Sequence, residues 1–165
     1  MSREYESKAQ MQQRLDEGWK EIVALVDSLP ADELERPGVV EEWSVKDLLG
    51  HMAFWAGKAA ADIGLLLAGR AEEIATPAGQ EETARWNERE SRKRNDLSLE
   101  EARAEWMQSF EEARQALAAA PEDVLWQEVK GWPQAVRFRE DTFLHYREHA
   151  EQIEAWWREL ETTEA

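Results

Sequence analysis

A chain of 165 residues and 19.1 kDa is long enough to bury a sizeable core, and residues 1–165 are expected to form one domain. Its 36 acidic residues against 20 basic ones give a formal net charge of -16, a field that repels phosphate backbones and anionic lipid, so neither nucleic acid nor membrane is expected as a partner. The absence of cysteine excludes disulfides, thiolate ligands and a cysteine nucleophile, and leaves His, Asp and Glu as metal donors. The polar start Met1 to Glu6 lacks the apolar core of a signal peptide, and no apolar run approaches the roughly 20 residues of a membrane span, which points to a cytoplasmic protein.

Ala, Leu, Glu and Arg dominate, β-branched residues are sparse, and Gly and Pro fall between periodic stretches. This pattern predicts an all-α fold, an up-and-down four-helix bundle with long connections. The first helix is expected over about residues 5 to 29, with Met11, Leu15, Trp19, Ile22 and Val26 repeating at steps of three and four before Pro30 ends it. Ser44 and Asp47 form an aspartate version of the capping box and open the second helix. Its stripe runs Val45, Leu48, Met52, Trp55, Ala59, Ile63 and Leu66 up to a stop at Gly69. A charged, mostly solvated segment around Trp86 and Asn87 predicts a further helix to about Arg94. Ser98 and Glu101 then cap a helix reaching about residue 119, and Asn95 to Leu97 either break or bend the chain between the two. Pro121 to Pro133 reads as irregular, and the last helix is expected over about 140 to 161, with Phe143, Tyr146, Ala150, Ile153 and Trp157 on its inner face.

The only three histidines fall on two of these helices. His145 and His149 are four residues apart and share a face, and His51 lies beside the apolar stripe of the second helix. At 1.5 Å per residue His51 stands roughly 10 Å above the start of its helix and the pair roughly 8 to 14 Å above the start of theirs, so the three meet at one level if the two helices run parallel. Three imidazoles suit a divalent ion and leave coordination positions open for water or substrate. Zinc or nickel is expected first, and iron or copper also suits the donor set. A lone histidine on an apolar flank is ordinarily structural; it is the grouping that points to ligation. Asp47 and Glu148 lie near the triad in sequence but read as a cap and a solvated helix charge, so no acid or base is assigned. Arg92, Lys93 and Arg94 read as a solvated helix end, and most of the nine tryptophans as packing, with some lining a pocket.

Trp43-Ser44-Val45-Lys46-Asp47-Leu48-Leu49-Gly50-His51 and His145-Tyr146-Arg147-Glu148-His149, with Ile153 and Trp157, resemble the DinB/YfiT-like superfamily of metal-dependent four-helix bundles, near the ClbS/DfsB-type branch. The resemblance covers nearly the whole chain and implies His51, His145 and His149 as metal ligands. It further implies a thiol transferase using a low-molecular-weight thiol, or a hydrolase, acting on a small electrophilic substrate in stress response, and a homodimer, since dimers are common in the superfamily. The rival expectation is a non-catalytic bundle, either stabilised by metal or sequestering a small hydrophobic molecule.

Overall fold

Three of the four long helices begin on a reciprocal cap in which a serine hydroxyl accepts from the N3 amide and the N3 side chain accepts from the serine amide. The pairs are Ser7 with Gln10, Ser44 with Asp47 and Ser98 with Glu101. The structure, a computed structural model, describes residues 6–165. The expected helix start at residue 5 and the polar stretch before Glu6 therefore lie outside the described residues. In order, the helices are α1 (Lys8–Ser28), α2 (Val45–Leu67), α3 (Gly79–Lys93), α4 (Leu99–Ala119), α5 (Glu122–Leu125), α6 (Gln134–Asp141) and α7 (Phe143–Glu164). A two-stranded antiparallel hairpin, β1 (Glu128–Val129) and β2 (Trp132–Pro133), precedes α6, with Glu128 opposite Pro133 and Val129 opposite Trp132.

The long helices α1, α2, α4 and α7 make the expected all-α bundle, and the stripes anticipated from periodicity are its core. Met11, Leu15, Ile22, Val26, Leu48, Met52, Ile63, Tyr146 and Ile153 are all buried. Asn95 to Leu97 break the chain rather than bend it, and Gly69 ends α2 with φ +71°. The stretch expected to be irregular, Pro121 to Pro133, contains the short helix α5 and the hairpin, and a helix not anticipated from the sequence, α6, starts directly after Pro133. Arg94 is not a solvated helix end: its guanidinium bonds Glu90 at 3.0 Å and Glu105 at 2.7 Å, locking the end of α3 onto α4. Among the described residues no helix is long and apolar enough to cross a membrane.

The directions of the helices differ from simple alternation. Asp27 at the end of α1 meets Arg103 at the start of α4 (2.8 Å), and Lys8 at the start of α1 reaches the Ala120 carbonyl beyond α4 (2.9 Å), so this pair is antiparallel. Lys46 and Ala102 share one small cleft while Gly57 faces Glu112, so α2 and α4 run together. Phe143 packs on Gly18 and Tyr146 on Trp19, which makes α1 and α7 parallel. Arg36, ahead of α2, bonds Glu164 at the end of α7 (2.9 Å), so α2 and α7 are antiparallel and not parallel as expected. The reason is the length of the connection between α2 and α4. Short loops force antiparallel neighbours, whereas residues 68–98, with the 15-residue α3 among them, carry the chain back along the length of α2.

Aromatic rings fill the middle of the bundle. Trp19 lies 4.4 Å from Trp106, 4.4 Å from Phe110 and 5.7 Å from Tyr146 between ring centroids. Tyr146 is fully buried and its hydroxyl has no hydrogen-bond partner among the described residues. Removing an unpartnered buried hydroxyl removes a desolvation penalty, so Tyr146→Phe should leave stability unchanged or raise it by about 1 kcal/mol in urea denaturation. Trp106→Ala, which empties the same cluster, should cost about 3–5 kcal/mol. A loss of more than about 1 kcal/mol in Tyr146→Phe would reveal a partner for the hydroxyl.

Candidate metal centre and its cavity

Helix α7 has no capping box. It begins where Thr142 breaks away from α6 (φ -124°, ψ -103°), with the buried Thr142 hydroxyl donating to the Phe138 carbonyl at 2.6 Å and the Thr142 carbonyl accepting from the Tyr146 amide at 2.8 Å. The break redirects the chain so that His145 and His149, in the first two turns of α7, face His51 in the second turn of α2. The three sequence-predicted residues meet: their donor nitrogens all lie within 4.8 Å of one another. His145 Nε2 is 2.9 Å from His51 Nε2 and 2.8 Å from His149 Nε2. The histidines meet although the helices are antiparallel because α7 starts part-way along α2, while α6 lies against α2 further on, near Lys58 and Asp62.

The protons in this cluster cannot be shared out. Gln152 Oε1 accepts from His149 Nδ1 at 2.6 Å, which leaves Nε2 of a neutral His149 bare. His145 Nε2 can then donate to, or accept from, only one of its two neighbours, so at least one of the two close N···N approaches is not a hydrogen bond. Burial, together with His149 and Arg94, holds His51 down to about 3. Burial is also the first cause that lowers His145, with His149 and His51 adding to it, and the first that lowers His149, against the opposing Gln152. Protonation at neutral pH therefore does not resolve the contact. A cation does: two nitrogens each about 2.1 Å from one ion sit about 3 Å apart at right angles and about 3.4 Å apart at tetrahedral angles, so the rings need move apart by no more than about half an ångström to hold one. The residues present thus fit a divalent metal, and the Gln152 bond is the kind of outer contact that fixes a ligating ring. Among the described residues His145 Nδ1 has no partner of hydrogen-bonding geometry, although the Asp141 backbone carbonyl, four residues earlier, acts to raise the His145 pKa.

The triad lies in the wall of a cavity of about 1020 Å³. Trp43 packs on His51 with ring centroids 5.0 Å apart, and Trp55 donates to Asn87 Oδ1 at 2.9 Å, holding α3 across the cavity as its far wall. Trp132, more than half exposed, stands on the rim. Deeper along α2 and α6 lie Lys58, Asp62, Arg137 and Asp141, with Lys58 and Asp62 paired at 2.5 Å. Burial pushes the Asp141 carboxyl up to about 7 against the opposing Lys58, and burial also raises Asp62. Of the two carboxylates near the triad in sequence, Asp47 is the helix cap, and Glu148 lines the cavity and acts on His149 through its charge, opposing the effect of burial. The buried charges were not singled out from the sequence, yet one signal was available: His51, Lys58 and Asp62, at spacings of seven and eleven, share a helix face.

Residues 15–151 match the family described as the mycothiol maleylpyruvate isomerase N-terminal domain. The chain belongs to that family. The mycothiol maleylpyruvate isomerase N-terminal domain family falls in the DinB/YfiT-like superfamily expected from the sequence, and together with the three-histidine group it is consistent with metal binding. Solved structures share the fold. An uncharacterised protein from Escherichia coli UTI89 has a TM-score of 0.83 at 16% identity, covering 95% of this chain and 96% of that one. The sibling lethal factor precursor DfsB has a TM-score of 0.79 at 13% identity, covering 95% and 98%. The colibactin self-resistance protein ClbS, crystallised in complex with double-stranded DNA, has a TM-score of 0.81 at 14% identity, covering 94% and 98%. No curated protein matches the chain. The DNA-bound ClbS overturns the exclusion of nucleic acid drawn from net charge. Net charge sums over the whole molecule, whereas a ligand meets the local field of one face, so the sum excludes nothing on this fold.

The depressed histidines make stability depend on pH when no metal is bound. An unfolded histidine takes up a proton near 6.5, whereas folded His51 stays neutral down to about 3. Below 6.5 the unfolded state binds more protons, so the histidine contribution is constant above 6.5 and stability is lost as pH falls from 6.5 toward 3. Asp141, raised from 3.8 to about 7, acts in the opposite sense over its own window, so the effect is read as a difference between variants. In chelator-treated protein, urea denaturation at about pH 7.5 and about pH 5 should show a smaller drop for His51→Gln than for the wild type. Equal drops would mean that His51 is not held neutral.

Proposed function

We propose that the chain is a metal-dependent enzyme of the transferase or hydrolase type acting on a small electrophilic molecule, with His51, His145 and His149 holding one divalent ion. The observation that supports it is the convergence of three neutral imidazole nitrogens, 2.8 and 2.9 Å apart, in the wall of a cavity of small-molecule size. An all-imidazole set with open positions suits zinc or nickel, and accepts iron or copper. A divalent ion there supplies acidity to a coordinated water or thiol, giving a nucleophile at neutral pH. The chain's own residues do the rest. Gln152 fixes the His149 ring, Trp43 closes over His51, and burial keeps all three lone pairs free of protons. The Asp141 carboxyl, one turn before His145, can hold or release a proton close to neutral pH.

Metal analysis of protein purified without added metal should find a stoichiometric divalent ion in the wild type and little in His149→Ala. Equal metal content in the two would reject the site. With an electrophilic probe such as a maleimide, turnover that requires added thiol identifies a transferase, and turnover without thiol identifies a hydrolase. Stoichiometric metal with no turnover under either condition would leave a metal-stabilised, non-catalytic bundle. Because the similarly folded ClbS is crystallised with double-stranded DNA, duplex DNA belongs among the ligands offered, with binding followed by fluorescence anisotropy.

A further inference from the structure

The inner end of the cavity is lined by two pairs of opposite charge on two different helices. Lys58 and Asp62 stand one turn apart on α2, and Arg137 and Asp141 stand one turn apart on α6. The first pair is closed, at 2.5 Å. The second is not. Among the described residues the Asp141 carboxyl accepts no hydrogen bond and forms no ion pair, and Arg137 spends one terminal nitrogen on the Val129 carbonyl at 2.8 Å while its buried Nε has no partner. Lys58 and Arg137 both act on the ionisation of Asp62 and of Asp141, and Asp62 acts on that of Asp141. A cation and an anion held one turn apart in the wall of a cavity, without bonding each other, leave a gap whose two sides demand opposite partners.

We propose that this quartet is a subsite for the zwitterionic end of an amino acid, the ligand's carboxylate meeting Arg137 and the free donors of Lys58, and its ammonium meeting Asp141 and Asp62. A ligand with one charge of either sign would leave one side of the gap unpaired. Lys58 lies seven residues beyond His51 on the same helix face, roughly 10 Å along the axis. A molecule anchored here by its amino-acid end therefore presents to the histidines an atom several bonds away. The inference deepens the small-molecule reading of the cavity and rests on it, but it does not require the metal.

Glutathione is a suitable probe, because its γ-glutamyl amino-acid group is separated from its sulfur by several bonds. It would be compared with glutaryl-cysteinyl-glycine, which lacks only the α-ammonium, and 4-aminobutanoyl-cysteinyl-glycine, which lacks only the α-carboxylate. Binding is followed by titration calorimetry and by tryptophan fluorescence, using chelator-treated and metal-loaded full-length protein. Glutathione should bind about ten-fold or more tightly than either analogue in both forms, since each analogue strands a buried charge. Asp141→Asn should weaken glutathione by a similar factor and leave the glutaryl analogue unchanged. Lys58→Met should weaken glutathione and leave the aminobutanoyl analogue unchanged. Equal affinities for the three probes on the wild type, or no binding of glutathione, would overturn the subsite whatever the variants do. Those outcomes together with stoichiometric metal and thiol-dependent turnover would remove the subsite and keep the proposed function. Zwitterion selectivity without metal would do the reverse.

Discussion

Three imidazoles packed nitrogen to nitrogen at 2.8 and 2.9 Å, with no carboxylate bonded to them among the described residues, are the constraint on which the rest of the molecule turns. Such a cluster is unfavourable in the low-dielectric interior of a bundle, and it persists because the elements that carry it are fixed elsewhere. Helix α2 is anchored by the Ser44 and Asp47 cap below His51, and α7 by the aromatic packing of Tyr146 between its two histidines. Thr142 sets the angle at which α7 departs, and its hydroxyl satisfies the Phe138 carbonyl that the break leaves behind. The bundle supplies the rigidity that holds three imidazole nitrogens at this spacing.

The cavity follows from the same arrangement. Histidines on the flanks of their helices, beside the apolar stripes and not within them, open toward the space between α2, α3 and α7. Tryptophan serves two purposes here. Trp19 and Trp106 fill the core, while Trp43 and Trp55 border the cavity and hold the histidine ring and α3 in place. The buried charges at the inner end are costly to enclose, and their cost is reduced only where they pair, as Lys58 and Asp62 do.

What could be read from the sequence was whatever depended on chemistry within a few residues. Ser44 with Asp47, Ser98 with Glu101, and Gly69 mark their helix ends because caps are local interactions, and His145 with His149 share a face because helical spacing is fixed. What could not be read depended on partners distant in the chain. Arg94 looked like part of a solvated basic end until Glu105 was seen across from it. The relative direction of α2 and α7 depends on the route of a long connection, which no local periodicity encodes. Helix α6 was hidden because it is only eight residues long, lies between a hairpin and the Thr142 break, and starts from a proline that reads equally as a stop. The meeting of the histidines was foreseen, but for a packing in which the helices ran the same way.

Because α2 and α4 point in one direction, the chain must make a return journey between them, and that journey forms a wall of the cavity. The bundle and its triad are therefore built from one set of segments, while much of the shape that a ligand would meet is cut from residues 68–98, outside the bundle core. Lengthening or rewriting such a connection costs little loop entropy and disturbs few core contacts. The fold thus assigns the histidine group and much of the cavity wall to different stretches of chain, so the shape of the cavity can change without moving the helices that carry the histidines.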